Sequence, residues 1–131
     1  MKAVVQTEYG AFEVDLDTEE VEPAGAVEVS ASEPLSLSLP RVVASAAAGS
    51  TIVAVVDRKP PLVVSHDAGV TWRESGGGLP AGRAVVISDD DPDLIVYASR
   101  NRLHVSTNGG VFWRALTVEL PEIESVSLLP P

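Results

Sequence analysis

Short apolar runs alternate along the chain with polar, glycine-containing or proline-containing interruptions, and no window sustains an apolar period of 3.6 residues. Runs of this length, rich in Val and bounded by turn-forming residues, are typical of strands. Residues 35–39 alternate Leu and Ser strictly, which is the pattern of a half-buried strand. The pattern therefore predicts an all-β chain. The predicted strands cover residues 2–8, 11–16, 26–30, 35–39, 41–47, 51–57, 61–64, 70–74, 83–88, 93–98, 102–105, 111–117 and 122–129.

One eight-residue pattern occurs twice: Ser-x-Asp/Asn-x-Gly-Val-x-Trp, followed each time by Arg. The copies cover residues 65–72 and 106–113, and each follows a short apolar run. Their tryptophans are 41 residues apart. The residues that define the two copies are Ser65, Asp67, Gly69, Thr71 and Trp72 in the first, and Ser106, Asn108, Gly110 and Trp113 in the second.

A polar stretch containing Asp or Asn and Gly between two apolar runs is typical of a hairpin turn. The side-chain oxygens of Asp67 and Asn108 are expected to accept backbone N–H groups within their own turns. Glycine supplies the backbone angles that a Cβ atom would resist. Trp72 and Trp113 are expected to be buried where the outgoing strand begins, each covering roughly 200 Å².

The two copies resemble the Asp-box, or bacterial neuraminidase repeat, of β-propellers such as sialidases and sortilin-like receptors. The second copy departs from that pattern with Asn108 in place of Asp and Phe112 in place of Thr. The resemblance implies propeller blades of four antiparallel strands, and the spacing of 41 residues suits one blade, which takes roughly 40 residues. It also implies that the repeat is structural and lies at the blade periphery, away from any active site.

We expect one partial β-propeller domain over residues 1–131, with about three blades. A degenerate blade is predicted at residues 1–40, Asp-box blades at 41–80 and 81–121, and a closing strand at 122–131. Leu-Pro pairs at 39–40, 79–80 and 120–121 mark the boundaries. Residues 14–20 are expected to form a decayed copy of the turn, with Asp17 in the Asp position. The closing strand is expected to complete the first blade, either within the chain or between chains.

A propeller usually closes with four to eight blades, so three blades leave two open blade faces. Both faces are expected to be apolar and rich in Val, and large apolar faces favour association. We therefore predict a homodimer with one joint six-bladed ring, closed by twofold symmetry. The alternatives are an open three-blade wedge and a piece of a longer chain.

The chain carries 9 basic and 19 acidic residues, and the formal charge of −10 argues against nucleic-acid or anionic-membrane partners. It contains no cysteine, which excludes disulfides and thiol chemistry. The apolar run at the N-terminus is too short for a signal peptide, and no run approaches the roughly 20 residues of a membrane-spanning helix. We expect a cytoplasmic protein unless a leader has been trimmed.

Nothing in the sequence predicts a catalytic, metal or cofactor site. The acidic residues between 13 and 22 lack the ligand order and the glycine of a calcium loop. His66 and His104 have no partner at the spacing of zinc ligands. Residues 76–78 are glycines without the Lys and Ser/Thr of a phosphate-binding loop. The seven arginines do not make up a complete sialidase triad in one chain.

The sequence therefore favours a non-catalytic binding or assembly scaffold that associates with itself and with a protein partner. The alternative is a carbohydrate-binding lectin with pockets between blades, and a sialidase-like glycosidase is the least favoured. Lectin pockets usually need a free aromatic platform, whereas most aromatics here are expected in cores or turns. A glycan array and the capture of a defined protein partner would discriminate between the two.

Overall fold

A computed structural model describes residues 2–24, 42–57 and 60–129. The strands predicted at 26–30 and 35–39 lie outside the described residues. The described part contains β1 (Lys2–Thr7), β2 (Gly10–Asp15), β3 (Val21–Pro23), β4 (Val42–Ala48), β5 (Thr51–Val56), β6 (Leu62–Ser65), β7 (Arg73–Ser75), β8 (Gly82–Ile87), β9 (Ile95–Ser99), β10 (Leu103–Ser106), β11 (Arg114–Ala115) and β12 (Ile123–Leu128).

These strands form three antiparallel sheets of four strands each, which confirms the all-β prediction. Sheet II is the meander β4-β5-β6-β7, and sheet III is the meander β8-β9-β10-β11. Sheet I has the order β12-β1-β2-β3, so its first strand comes from the other end of the chain. Ala3 pairs with Leu128 and Val5 with Val126 across this junction. The strand predicted to close the first blade therefore pairs with β1 of its own chain.

Sheet III lies between the other two sheets. Its first strand, β8, contacts β4 and β5 of sheet II on one side and β12 of sheet I on the other. Side chains of β8 alternate accordingly: Val85 and Ile87 belong to the core shared with sheet II, and Ala84 belongs to the core shared with sheet I. Because both faces of sheet III are covered, β9 is buried along its whole length. The spatial order of the sheets is II–III–I.

The fourth strands of sheets II and III are shorter than predicted. The strands predicted at 70–74 and 111–117 are observed as β7 (Arg73–Ser75) and β11 (Arg114–Ala115). The backbone N–H groups of Thr71 and Phe112 are bonded to the Asp67 and Asn108 side chains within the turn, so they take no part in a ladder. The strand begins only after each tryptophan.

In the decayed turn between β2 and β3, a carboxylate stands at the strand end. The backbone N–H groups of Asp17 and Thr18 donate to Asp15 Oδ1 at 2.9 and 3.1 Å. Asp15 is the last residue of β2, as Ser65 is the last residue of β6. Asp15 therefore stands in the place of Ser65, and Asp17, two residues further on, stands in the place of Asp67.

In the described part of the chain, the structure contains no helix long and apolar enough to cross a membrane.

Candidate functional site

The turn at 65–72 is held by its own side chains. Ser65 Oγ donates to Asp67 Oδ1 at 2.7 Å and accepts from the Gly69 backbone N–H at 2.8 Å. Asp67 Oδ1 also accepts from the Thr71 N–H at 2.8 Å, and its Oδ2 accepts from Thr71 Oγ1 at 2.5 Å. The backbone has positive φ at Ala68 (58°) and Gly69 (92°). The Ser65, Asp67 and Thr71 side chains thus bond within the eight residues, and the Ala68 N–H anchors the turn to the Ser50 carbonyl at 2.9 Å.

Hydrogen bonds from Thr71, and then from Ser65, lower the pKa of Asp67 from 3.8 to about 2. Each of these bonds favours the charged carboxylate over the neutral acid. Asp67 is therefore a fixed acceptor at neutral pH, already occupied by its own turn. A carboxylate in this state is poorly suited to general acid or base catalysis near pH 7.

The turn at 106–113 repeats these bonds with an amide in place of the carboxylate. Ser106 Oγ lies 3.0 Å from Asn108 Oδ1 and accepts from the Gly110 N–H at 2.9 Å. Asn108 Oδ1 accepts from the Phe112 N–H at 3.0 Å. Phe112 has no hydroxyl to add the second bond that Thr71 makes, and its ring is 75% exposed. The two sets of residues that the sequence singled out are each brought together.

Trp113 joins this turn to sheet II. Its indole Nε1 donates to Ser75 Oγ of β7 at 3.1 Å and to the Gly110 carbonyl at 3.2 Å. Ser75 Oγ itself donates to the Gly110 carbonyl. The indole ring lies edge-on to Tyr97, with centroids 6.1 Å apart. A Cβ atom at Gly110 would lie 3.2 Å from Ser75 Oγ and 3.3 Å from Val64 Cγ2, so glycine allows this close approach.

The turn of sheet I joins sheet III in the same manner. Glu19 accepts from the Thr117 backbone N–H and, at 3.1 Å, from its hydroxyl. Arg114 Nη2 of β11 donates to the Leu16 carbonyl at 2.7 Å. At both junctions, the turn that follows the third strand of one sheet contacts the preceding sheet in the order II–III–I. The contact is made with the fourth strand of that preceding sheet or with the residues just after it. The same type of contact, between a turn and the preceding sheet, therefore occurs at both junctions, II–III and III–I.

Trp72, the counterpart of Trp113, has different surroundings. It packs on a small cluster of Ala54, Val56 and Val63, on the side of sheet II that faces away from sheet III. We call this side the outer face of sheet II. The described strands of the other sheets do not contact this side, and the Trp72 indole N–H has no hydrogen-bond partner among the described residues. Both indoles, which were expected to be buried, are half-buried.

The corresponding outer face of sheet I is acidic. In the register of this sheet, Glu13 lies opposite Val4 on one side and opposite Glu22 on the other, so the three share a face. The expectation that both open faces are apolar and Val-rich was therefore wrong for sheet I, because Glu13, Asp15 and Glu22 stand on this face. A depression on this face is lined by Lys2, Glu13, Asp15, Glu20 and Glu22.

No group of three or more potential metal ligands occurs among residues 2–24, 42–57 and 60–129. Three arginines in the described chain are engaged in exposed ion pairs: Arg83 and Arg100 with Glu122, at 2.8 and 3.7 Å, and Arg102 with Glu119, at 3.1 Å. His66 lies exposed at the turn of sheet II, 3.4 Å from Thr51 Oγ1. The two histidines are not brought together, since His104 is buried within sheet III.

Sequence reasoning missed Ser75, Gly82 and Tyr97. Ser75 lies outside the eight-residue pattern, and nothing local distinguishes it from any other strand serine. Tyr97 is fully buried and donates to the Pro80 carbonyl at 2.5 Å, and burial raises its pKa to about 12. Its ring lies directly on Gly82, where a Cβ atom would be 2.5 Å from Tyr97 Cζ. Only the packing of sheet III relates these two residues.

No protein-family model matches the chain, and no curated protein sequence matches it. Solved structures do. A GH74 enzyme from Niastella koreensis is similar over 91% of this chain and 18% of its own, with a TM-score of 0.52 and 20% identity. YCF48 bound to a D1 peptide is similar over 90% of this chain and 38% of its own, with a TM-score of 0.52 and 17% identity.

Both of these similar structures are β-propellers, and at these identities the likeness concerns the fold alone. The three four-stranded sheets of this chain are therefore propeller blades. The chain spans less than half the length of either protein.

Proposed function

We propose that this chain is a non-catalytic β-propeller scaffold with Asp-box turns, which associates with itself and presents its blades to a protein partner. Its turn carboxylate is occupied by its own hydrogen bonds, and three of its arginines are paired. Protein binding is supported by the similar propeller YCF48, whose structure contains a bound D1 peptide.

The observation that carries self-association is the difference between the two tryptophans. Trp113 has a neighbouring fourth strand to which its indole donates, and Trp72 has none among the described residues. The turn of sheet II therefore lacks the kind of neighbouring fourth strand that the turns of sheets III and I each contact in the described structure. Likewise β3, the fourth strand of sheet I, is not contacted by the turn of another described sheet. A second copy supplies both missing elements at once.

Closure in the order II–III–I would set sheet I of the second copy beside sheet II. On that face β1 and β12 present Gln6, Ser125 and Ser127 around Val4, with Lys2 at the end of β1, and the carboxylates stand toward the rim on β2 and β3. Trp72 would then face β3 of the second copy, as Trp113 faces Ser75. Glu22 is the β3 side chain on that face, and a carboxylate is a good acceptor for an indole N–H. Twofold symmetry makes two identical junctions and a six-bladed ring.

The test is the mass in solution by sedimentation velocity at micromolar concentration. We expect the wild type to sediment as two chains, and Trp72→Ala and Glu22→Lys to sediment as one. Phe112→Ala, at the exposed equivalent turn, and Glu124→Lys, the same charge change on an exposed residue of β12, are the matched controls and should remain dimeric. A wild type that stays a single chain would contradict self-association, and a dimer that survives Trp72→Ala would contradict this interface.

A further inference from the structure

His104 is the buried titratable side chain that the docking of the turns does not use. It lies in the middle of β10, paired with Tyr97 of β9 and Ala115 of β11. Only 4% of its surface is exposed. The equivalent residue of sheet II, 41 positions earlier, is Val63. An apolar residue therefore suits this position of the blade, and the imidazole is a departure from the repeat.

One nitrogen of this imidazole is left without a partner. Ser99 Oγ donates to the Arg102 carbonyl at 3.1 Å, and it lies 3.4 Å from His104 Nε2. With the hydroxyl proton engaged in that bond, Nε2 is the donor and carries the imidazole proton. Nδ1 is then a bare acceptor, and it has no hydrogen-bond partner in the described structure. A second proton can bind only at Nδ1, and the described residues offer no hydrogen-bond acceptor for it there.

The charged groups around His104 also oppose a second proton. Burial lowers the pKa of His104 below 6.5, and the charge of Arg102, two residues earlier on the same hairpin, lowers it further. Arg73 stands on the side of sheet II turned toward sheet III, opposite Val64. Tyr97 packs on the imidazole with ring centroids 5.6 Å apart, and Ala115 on the other flank is uncharged. Arg102 is itself paired with Glu119, at 3.1 Å.

We propose that His104 is an acid-sensitive group built into the junction of sheets II and III, and that its protonation at Nδ1 opens this junction. The Tyr97 ring touches both His104 and Trp113, and Trp113 in turn bonds to Ser75 of sheet II. A cation beneath Tyr97 needs water or a counter-ion, and separation of the two sheets admits either. This inference is independent of self-association, since every contact lies within one chain.

The sign of the effect follows from proton counting. Between the lowered value and 6.5, the unfolded chain binds a proton at His104 and the folded chain does not. Stability therefore rises with pH in this window and is lost as the pH falls below 6.5. One proton of difference raises the unfolding equilibrium constant about tenfold for each pH unit of acidification. Carboxylates also titrate on acidification, so the measured quantity must be a difference between variants.

The experiment measures urea unfolding of the full chain from pH 7.5 to pH 5, for wild type, His104→Val and His104→Leu. Two apolar replacements are used because either one alone can leave a cavity or a clash. We expect the wild type to lose stability relative to both variants by about tenfold in the unfolding constant per pH unit below 6.5. His66→Gln, which alters the exposed histidine, is the matched control and should follow the wild type.

A second readout reports on the junction itself. In a Trp72→Phe background, the fluorescence of Trp113 should shift to longer wavelength on acidification, and His104→Val should remove that shift. The proposal is overturned if both apolar variants keep the acid dependence of the wild type. It is equally overturned if the His104 ring signal, followed by NMR in the folded protein, titrates at the ordinary value.

Discussion

The contact of Trp113 with Ser75 makes a quantitative prediction about how neighbouring sheets are held together. Ser75 Oγ accepts from the indole N–H at 3.1 Å and donates to the Gly110 carbonyl, and Ser75 is only 8% exposed. Ser75→Ala removes the hydroxyl from both bonds without changing the strand. Trp113→Phe removes the indole N–H and leaves an aromatic ring in place. The pair of substitutions therefore probes one contact from its two sides.

The size of each effect follows from the bonds that are lost. A net hydrogen bond contributes about 0.5–1.5 kcal/mol, so Ser75→Ala should lower the free energy of unfolding by about 1–3 kcal/mol. Trp113→Phe should cost a similar amount, because Ser75 and Gly110 remain bonded to each other while the half-buried ring becomes smaller. Since both changes remove the same bond, the double variant should lose about 1 kcal/mol less than the sum of the two.

The assay is a double-mutant cycle by urea unfolding, followed by far-ultraviolet circular dichroism because fluorescence changes with the tryptophans. The control cycle pairs Ser75→Ala with Trp72→Phe, whose indole lies on the opposite side of sheet II. The control pair should be additive within about 0.5 kcal/mol. Equal coupling in the two cycles, or a Ser75→Ala protein as stable as the wild type, would show that the turn of sheet III is not docked on β7.

Two further predictions concern the packing of Tyr97 and the acid behaviour of the first turn. Gly82→Ala should destabilise by about 3 kcal/mol or more in thermal or urea unfolding, because a Cβ atom overlaps the fully buried Tyr97 ring. Gly77→Ala, where nothing lies within 4 Å of the added atom, is its control and should leave stability nearly unchanged. Asp67 has a folded pKa lowered from 3.8 to about 2, so its stabilisation is complete above pH 3.8 and is lost as the pH falls toward 2. Asp67→Asn should flatten the stability profile in that window relative to wild type, and an unchanged slope would contradict the bonded carboxylate.

The strands and the repeated turns could be predicted from the sequence because interactions between residues close together in the chain determine them. Apolar residues alternate with a period of two wherever one face of a strand is buried, and that period is visible without any knowledge of the partner sheet. The bonds of Ser65 and Asp67 join residues two to four positions apart. The eight residues therefore contain nearly everything that shapes the turn.

One expectation about the open blade faces was wrong for a local reason. Sheet I was expected to present an apolar outer face, but a period of two does not by itself say which face is covered. The polar side chains of its strands, which include Glu13 and Glu22, lie on the face turned away from sheet III.

The sequence alone thus determined the all-β class, the blade-length repeat and the two self-bonded turns. Only the tertiary structure decided that β12 pairs with β1, that Trp113 has a neighbouring strand while Trp72 lacks a described one, and that His104 is buried. The contact between Arg114 and Leu16 joins residues 98 positions apart, and the contact between Trp113 and Ser75 joins residues 38 positions apart. Such contacts depend on which sheets lie side by side, and two tryptophans in the same local pattern acquire different surroundings for that reason.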